Sequence, residues 1–233
     1  MTLIKRLPLN ERGRDFLIGD VHAEFNRLEE LLATVGFRPE SDRLISTGDL
    51  VDRGPDSDQV LDWLSRPWFY AVMGNHELMS MAHACNGGED AADHVANGGA
   101  WMAAMGPEEQ LEYAEAFAGM PLAIEIQTAR GPVGVVHADM PPGLSWQSLV
   151  TELDAGNRDS ANWLLWSRQR LEAAAQGEAT PDVVGIRRVY VGHTTVKKPA
   201  AVGNVCYIDT GAHFGGQMML IDANTGALAA SRG

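Results

Sequence analysis

Cysteine is scarce. The 233 residues contain only Cys85 and Cys206, with no C-x-x-C spacing, so neither a disulfide framework nor a thiolate metal centre is expected, and both read as packed or free thiols. No run of about 18 apolar residues occurs, which argues against a membrane-spanning helix. The opening stretch MTLIKRLPLNERGRD lacks an apolar core followed by a cleavage site, so we expect no secretory leader and a cytoplasmic location. Positive charge is also short: 18 Lys and Arg stand against 31 Asp and Glu, a formal charge of −13. That balance opposes attraction to nucleic-acid phosphates and to anionic lipid, so neither a nucleic acid nor a membrane is an expected partner. Repeats, low-complexity tracts and a Pro/Ser linker are absent too. With 45% hydrophobic and 21% charged residues, near the globular average, the chain reads as one folded domain over 1–233, with a monomer as the default assembly.

Against those absences stands an alternation of two periodicities. Residues 14–19 (RDFLIG) form a strand-like run leading to Asp20, and 24–35 place Phe25, Leu28, Leu31, Leu32 and Val35 at helical spacing. The pattern recurs, with DRLISTG before Asp49, a helical SDQVLDWLS after Pro55, and WFYAVMG leading into Asn75 and another apolar helix. Alternating β and α elements predict an α/β fold. From about residue 86 the stretch CNGGEDAADHVANGGAW loses periodicity and reads as a surface excursion. Beyond it come a helix that starts at Pro107, strands around LAIEIQT and GPVGVVHAD, an amphipathic helix near 160–175, and strands around RRVYVGH, NVCYIDTG and MMLIDA. This strand-rich half is compatible with a second sheet packed on the first.

Chemistry-bearing residues follow the strand-like runs. GDVHAE (19–24), GDLVDRG (48–54) and GNHE (74–77) each set an oxygen or nitrogen ligand after a glycine, where the backbone turns sharply at the carboxyl end of a strand. His137 in VVHAD and His193 in VGHTT follow apolar runs in the same way. Asp20, His22, Asp49, Asn75, His137 and His193 thus form a set without sulfur, suited first to manganese, with iron or zinc as alternatives. Six protein ligands are too many for one catalytic ion that keeps an open position; they suit two divalent ions bridged by one carboxylate.

The three glycine-anchored segments, about 25 residues apart, resemble the signature of the calcineurin-like metallophosphoesterases, in particular the serine/threonine phosphoprotein phosphatase family in its short bacterial and phage form. VVHAD, WSRQR and VGHT match in the expected order. The resemblance implies a central two-sheet β-sandwich flanked by helices and the hydrolysis of phosphoserine or phosphothreonine monoesters in phosphorylated proteins or peptides, by direct attack of a hydroxide held between the metals. It implies that Asp20 and His22 hold one metal, that Asp49 bridges, and that Asn75, His137 and His193 hold the other. His76 would be the general acid, oriented by Asp52, while Arg53, Arg168 and the amide of Asn75 grip the phosphate.

Physical chemistry makes sense of these roles. Two divalent ions lower the pKa of a bridging water and polarise phosphoryl oxygens, so no covalent phosphoenzyme is needed. A serine alkoxide leaves poorly, which suits a protonated imidazole held beside a carboxylate, and arginine offers a planar fork to phosphate. On a continuous helix Arg168 and Arg170 would face nearly opposite ways, so only one could be the clamp. One departure concerns Ala23, where the family usually has Gly; we expect Ala there to take helical φ and the loop to survive. His83 and His94 match no motif and read as solvated, and His213 reads mainly as outside the site. Two other functions stay open: a dinucleoside polyphosphate (diadenosine tetraphosphate) hydrolase of the same fold, and an inactive phosphate-binding module.

Overall fold

The computed structural model describes residues 3–232. Its short strands are apolar runs closed by turn-forming residues, and the first half alternates them with helices: β1 (Ile4–Leu7), β2 (Asp15–Ile18), α1 (Phe25–Thr34), β3 (Arg43–Ser46), α2 (Val60–Ser65) and β4 (Phe69–Ala71). A helical block follows, comprising α3 (Asn75–Asn86), α4 (Gly88–Ala96), α5 (Ala100–Ala103) and α6 (Pro107–Ala118). The remainder holds β5 (Ala123–Ile126), β6 (Val133–Val136), α7 (Trp146–Asp154), α8 (Arg158–Trp166), α9 (Gln169–Ala175), β7 (Arg188–Val191), β8 (Ala200–Val202), β9 (Val205–Tyr207), β10 (Met218–Asp222) and β11 (Leu228–Arg232).

The strands form two sheets, ordered β11-β10-β2-β3-β4 and β1-β5-β6-β7-β9-β8. Between them lies an apolar layer in which Leu17, Ile45, Val72 and Ile221 meet Leu7, Ile124, Val135 and Tyr190. Helices cover the outer faces; α1 buries Phe25, Leu28, Leu31 and Leu32 against the first sheet, the apolar stripe its spacing predicts. This is the two-sheet, helix-flanked arrangement expected. Its consequence for function is directional: β2, β3 and β4 run parallel, as do β6, β7 and β9. The loops after these strands carry Asp20, Asp49, Asn75, His137 and His193 to a common edge, where parallel sheets present their ligand sites.

The structure departs from the sequence reading in two segments. The supposed excursion after residue 86 is helical, forming α4 and α5. Its glycine pairs sit at helix ends, Gly87 and Gly88 at positive φ between α3 and α4, where glycine is favoured, and Glu89 and Asp90 occupy the first turn of α4, where the helix dipole welcomes negative charge. The helix read across 160–175 is two helices. Ser167 is extended (ψ 140°) and Arg168 precedes α9 at φ −122°. Strands β8 and β11 escape the sequence reading because they are largely exposed and carry little apolar signal.

Candidate active site

Six non-glycine residues among those described have positive φ: His22, Ala23, Asp49, Asp52, Arg53 and His193. Five are expected site residues and the sixth adjoins His22, the clustering of backbone strain that marks functional loops. Ala23 therefore does not take the helical φ expected of it. At φ 56° it is held in the left-handed region by its N–H on the Leu50 carbonyl (2.7 Å) and its own carbonyl under Asp56 N (3.1 Å), so two backbone bonds outweigh a cost of about 1 kcal/mol. The glycines are sterically required here: a Cβ on Gly74 would collide with Asp49 Oδ1, and one on Gly192 with Asp20 Oδ1.

At the centre is Asp49. Its Oδ2 lies 3.4 Å from His137 Nε2, 3.8 Å from His22 Nε2 and 3.9 Å from His76 Nε2. Two groups of potential metal donors, His22–Asp49–His76 and Asp49–His137–His193, share this carboxylate. Burial would raise its pKa, but the surrounding imidazoles of His137, His76 and His22 hold it well below the usual carboxylate range. Glu77 anchors the loop by accepting N–H bonds from Gly74 (2.7 Å), Asp49 (3.0 Å) and Leu50 (2.7 Å); burial and the Asp49 charge push its pKa up to about 7.

Two of the imidazoles are set in ligand-competent tautomers. His22 Nδ1 donates to the Val51 carbonyl (3.0 Å) and His137 Nδ1 to the Thr47 carbonyl (2.8 Å), leaving each Nε2 lone pair for the cleft, the usual orientation device of metal-binding histidines. Burial drops the pKa of His22 to about 3; burial, with repulsion from His137, drops that of His193 to about 3, so neither competes as a cation. Asn75 Oδ1, His137 Nε2 and His193 Nδ1 stand 2.8, 2.9 and 3.2 Å from one another. Ligand atoms about 2.0–2.2 Å from an ion lie roughly 3 Å apart at adjacent positions, so these donors fit a divalent cation. Asp20 sits differently: its oxygens accept from Thr47 Oγ1 (3.1 Å) and His193 N (2.8 Å). Burial and the neighbouring Asp209 and Asp49 carboxylates raise its pKa well above normal, the signature of concentrated negative charge that bound cations would relieve.

Around this core lies a cleft of about 490 Å³, lined among others by Arg53, Asn75, His76, Arg168 and His193. Arg53 Nη1 donates to His22 Nε2 at 2.8 Å, and Arg168 Nε to His193 Nε2 at 3.2 Å, which puts one guanidinium beside each donor group. Arg170 does not face the cleft; it is buried on Asp139, with its N–H on Oδ2 (3.0 Å) and Nε near Oδ1 (3.3 Å). His76 Nδ1 meets Asp52 Oδ2 at 2.6 Å. Burial alone would lower the His76 pKa, yet the Asp49 charge and the Asp52 bond raise it.

Two histidines overturn their sequence reading. His83 and His94, expected to be solvated, are both buried, and His94 Nε2 lies 3.0 Å from each oxygen of Asp52. A helical signal could have found His83, since His76, Ser80 and His83 recur at i, i+4 and i+7 on one face of α3; His94 lies on α4, which packs on α3, and has no such signal. His213 also reaches the site edge, its ring 4.4 Å from that of His22 and its Nε2 3.5 Å from Arg53 Nη1.

Comparison with known proteins identifies the family. The sequence profile of the family described as calcineurin-like phosphoesterase matches residues 16–198. The serine/threonine-protein phosphatase 2 of Salmonella typhimurium is 32% identical over 223 residues, covering 94% of this chain and 97% of that protein. A symmetrical bis(5'-nucleosyl)-tetraphosphatase of Serratia proteamaculans is 49% identical, but over 69 residues, 29% of this chain and 24% of that protein. A solved protein serine/threonine phosphatase from Saccharomyces cerevisiae overlays with a TM-score of 0.63 at 17% identity, over 97% of this chain and 78% of that one. With this profile match and a near-full-length relative, the chain belongs to the calcineurin-like phosphoesterase family.

Proposed function

We propose that this chain is a metal-dependent phosphoprotein phosphatase, acting as one domain in the cytoplasm on phosphoserine and phosphothreonine. The observation that carries the reading is the Asp49 carboxylate set between His22 on one side and His137 with His193 on the other, with a guanidinium beside each, joined to near-full-length similarity with a bacterial protein phosphatase. Asp20 and His22 are assigned to one ion, Asn75, His137 and His193 to the other, and Asp49 to both, with manganese the favoured metal. When bound, two such ions polarise the phosphoryl group and supply an activated water.

The chain's own side chains do the rest. Arg53 and Arg168 hold the phosphate oxygens through charge-assisted bonds, aided by the Asn75 amide. His76, kept as a proton carrier by Asp52, gives its Nε2 proton to the serine oxygen as the P–O bond breaks, which spares the reaction an expelled alkoxide.

A second reading has its own support: the tetraphosphatase similarity is high where it exists. Full-length coverage favours the protein phosphatase. Initial rates on a phosphoserine peptide and on diadenosine tetraphosphate, in parallel with manganese, separate the two. Faster peptide hydrolysis is expected, abolished by chelation and restored by manganese; faster cleavage of the dinucleotide would replace the reading, and turnover of neither would mark a binding module.

A further inference from the structure

The His76–Asp52 pair does not stand alone. Asp52 is fully buried in a strained turn at φ 71°, and its carboxylate takes three side-chain donors: His76 Nδ1 on Oδ2 (2.6 Å), Trp101 Nε1 on Oδ1 (2.6 Å) and His94 Nε2 between the two oxygens (3.0 Å to each). An ionised carboxylate only accepts, so His94 Nε2 must donate. His94 Nδ1 then pairs with His83 Nδ1 at 2.9 Å, and Ser80, whose Oγ bonds the His76 carbonyl (2.9 Å), stands 3.1 Å from His94 Nε2. The chain around His94 is shaped to its ring: Gly99 abuts it so closely that any Cβ there would enter the imidazole. A buried histidine costs free energy unless its polar atoms are satisfied, and here both nitrogens are spent on one line running from His83 through His94 to Asp52.

We propose that His94 is a positioning residue for the leaving-group proton transfer, fixing the Asp52 carboxylate so that His76 keeps its proton-bearing Nδ1 on Oδ2 and aims Nε2 into the cleft. The inference rests on the assignment of His76 as general acid. His94 touches neither substrate nor metal donors; it works through Asp52. Trp101 holds Oδ1 from the other side, so the carboxylate cannot swing about its Cβ–Cγ bond without losing two donors at once. A role confined to packing would need a ring of this size, not a donor at this position, and that difference is measurable.

The test compares His94→Leu, which removes the donor, with His94→Gln, whose amide nitrogen can take the place of Nε2, alongside His76→Asn. Turnover is read on a phosphoserine peptide and on p-nitrophenyl phosphate, whose phenolate leaves without much help. We expect His94→Leu to lose about 10-fold or more on the peptide, within the roughly 10²–10⁴-fold worth of general acid catalysis, and at most a few-fold on p-nitrophenyl phosphate, with His94→Gln recovering most of the loss. Should His94→Leu not fold, His94→Asn carries the same expectation, since its side chain is too short to reach Asp52. In the zinc-loaded protein, the low-field proton resonance of His76 Nδ1–H should move in His94→Leu and stay in His94→Gln. Equal losses on both substrates, a glutamine variant no better than leucine, or an unmoved resonance would overturn the proposal. Selective loss in His76→Asn with none in His94→Leu would overturn the proposal and leave the acid assignment standing; unselective loss in His76→Asn would remove that assignment and this inference with it.

Discussion

His76 faces two carboxylates with different duties, Asp52 through Nδ1 at 2.6 Å and Asp49 through Nε2 at 3.9 Å. If its task is to protonate the leaving oxygen and Asn75 is the adjacent ligand, as proposed, His76→Asn should keep bound metal. Its loss should be about 10²–10⁴-fold on phosphoserine and smaller on p-nitrophenyl phosphate; loss of metal instead would make His76 a ligand. The two arginines of WSRQR separate just as cleanly. Arg168 is exposed beside His193, whereas Arg170 is buried on Asp139 with Nη1 on the Pro181 carbonyl (2.8 Å). Arg168→Ala should reduce catalytic efficiency roughly 10- to 150-fold, the worth of about 1.5–3 kcal/mol for a charge-assisted bond, with little change in melting temperature. Arg170→Ala should do the reverse, destabilising by about 3–5 kcal/mol because Asp139 keeps a buried charge without its partner, while turnover at a temperature where the variant is folded stays within a few-fold. Kinetics and thermal melts run on both variants check the pair, and a kinetic defect larger in Arg170→Ala would move the clamp.

Between elements, the loop that feeds β3 shows how stability is tied to charge. Asp42 is buried and accepts N–H bonds from Arg14 N (2.8 Å) and Arg38 N (3.0 Å) together with Arg14 Nη2 (2.6 Å). Burial pushes its pKa up, but these bonds outweigh it and leave the carboxyl below its usual value. A carboxyl with a depressed folded pKa stabilises fully above the unfolded value, about 3.9, and loses that contribution as pH falls through the folded pKa. The melting-temperature gap between wild type and Asp42→Asn should therefore be constant at neutral pH and narrow below about pH 4; a gap that widens in acid would reverse the sign. The same scale shows what the sequence makes legible. β2, β3 and β4 are readable because each apolar run stops at a glycine followed by a ligand, a local signal. α4 is not, because its defining fact is contact with α3: His94 is meaningful only once its ring meets Asp52, 42 positions earlier in the chain. The kink between α8 and α9 is likewise invisible in WSRQR, where both flanks favour helix and tertiary contacts impose the break. Ala23 fails for a related reason, since the backbone bonds to Leu50 and Asp56 that hold its left-handed φ come from another loop.

Over the entire chain, a formal charge of −13 and a dianionic substrate look opposed, and the distribution of charge resolves it. Buried carboxylates are gathered at one edge, where burial and the Asp209 and Asp49 charges raise the pKa of Asp20 and burial with the Asp49 charge raises that of Asp209, and divalent ions seated among them, with Arg53 and Arg168 alongside, would turn that edge locally positive. Both sheets contribute: Asp20, Asp49 and Asn75 come from one and His137 and His193 from the other, so metal binding should clamp the two layers together. Chelation should accordingly lower the melting temperature as well as abolish turnover, by RT ln(1 + [L]/Kd) for an ion that binds only the folded state; a melt indifferent to chelator would place the metals outside the fold's linkage. No helix among the described residues is long and apolar enough to cross a membrane. Asp49 is the single side chain on which both donor groups depend. Metal content per chain in purified Asp49→Asn, set against the two ions expected of the wild type, therefore tests the arrangement most directly. A carboxylate shared by both ions requires loss of most bound metal together with nearly all phosphopeptide turnover, whereas stoichiometric retention of two ions by Asp49→Asn would contradict that sharing.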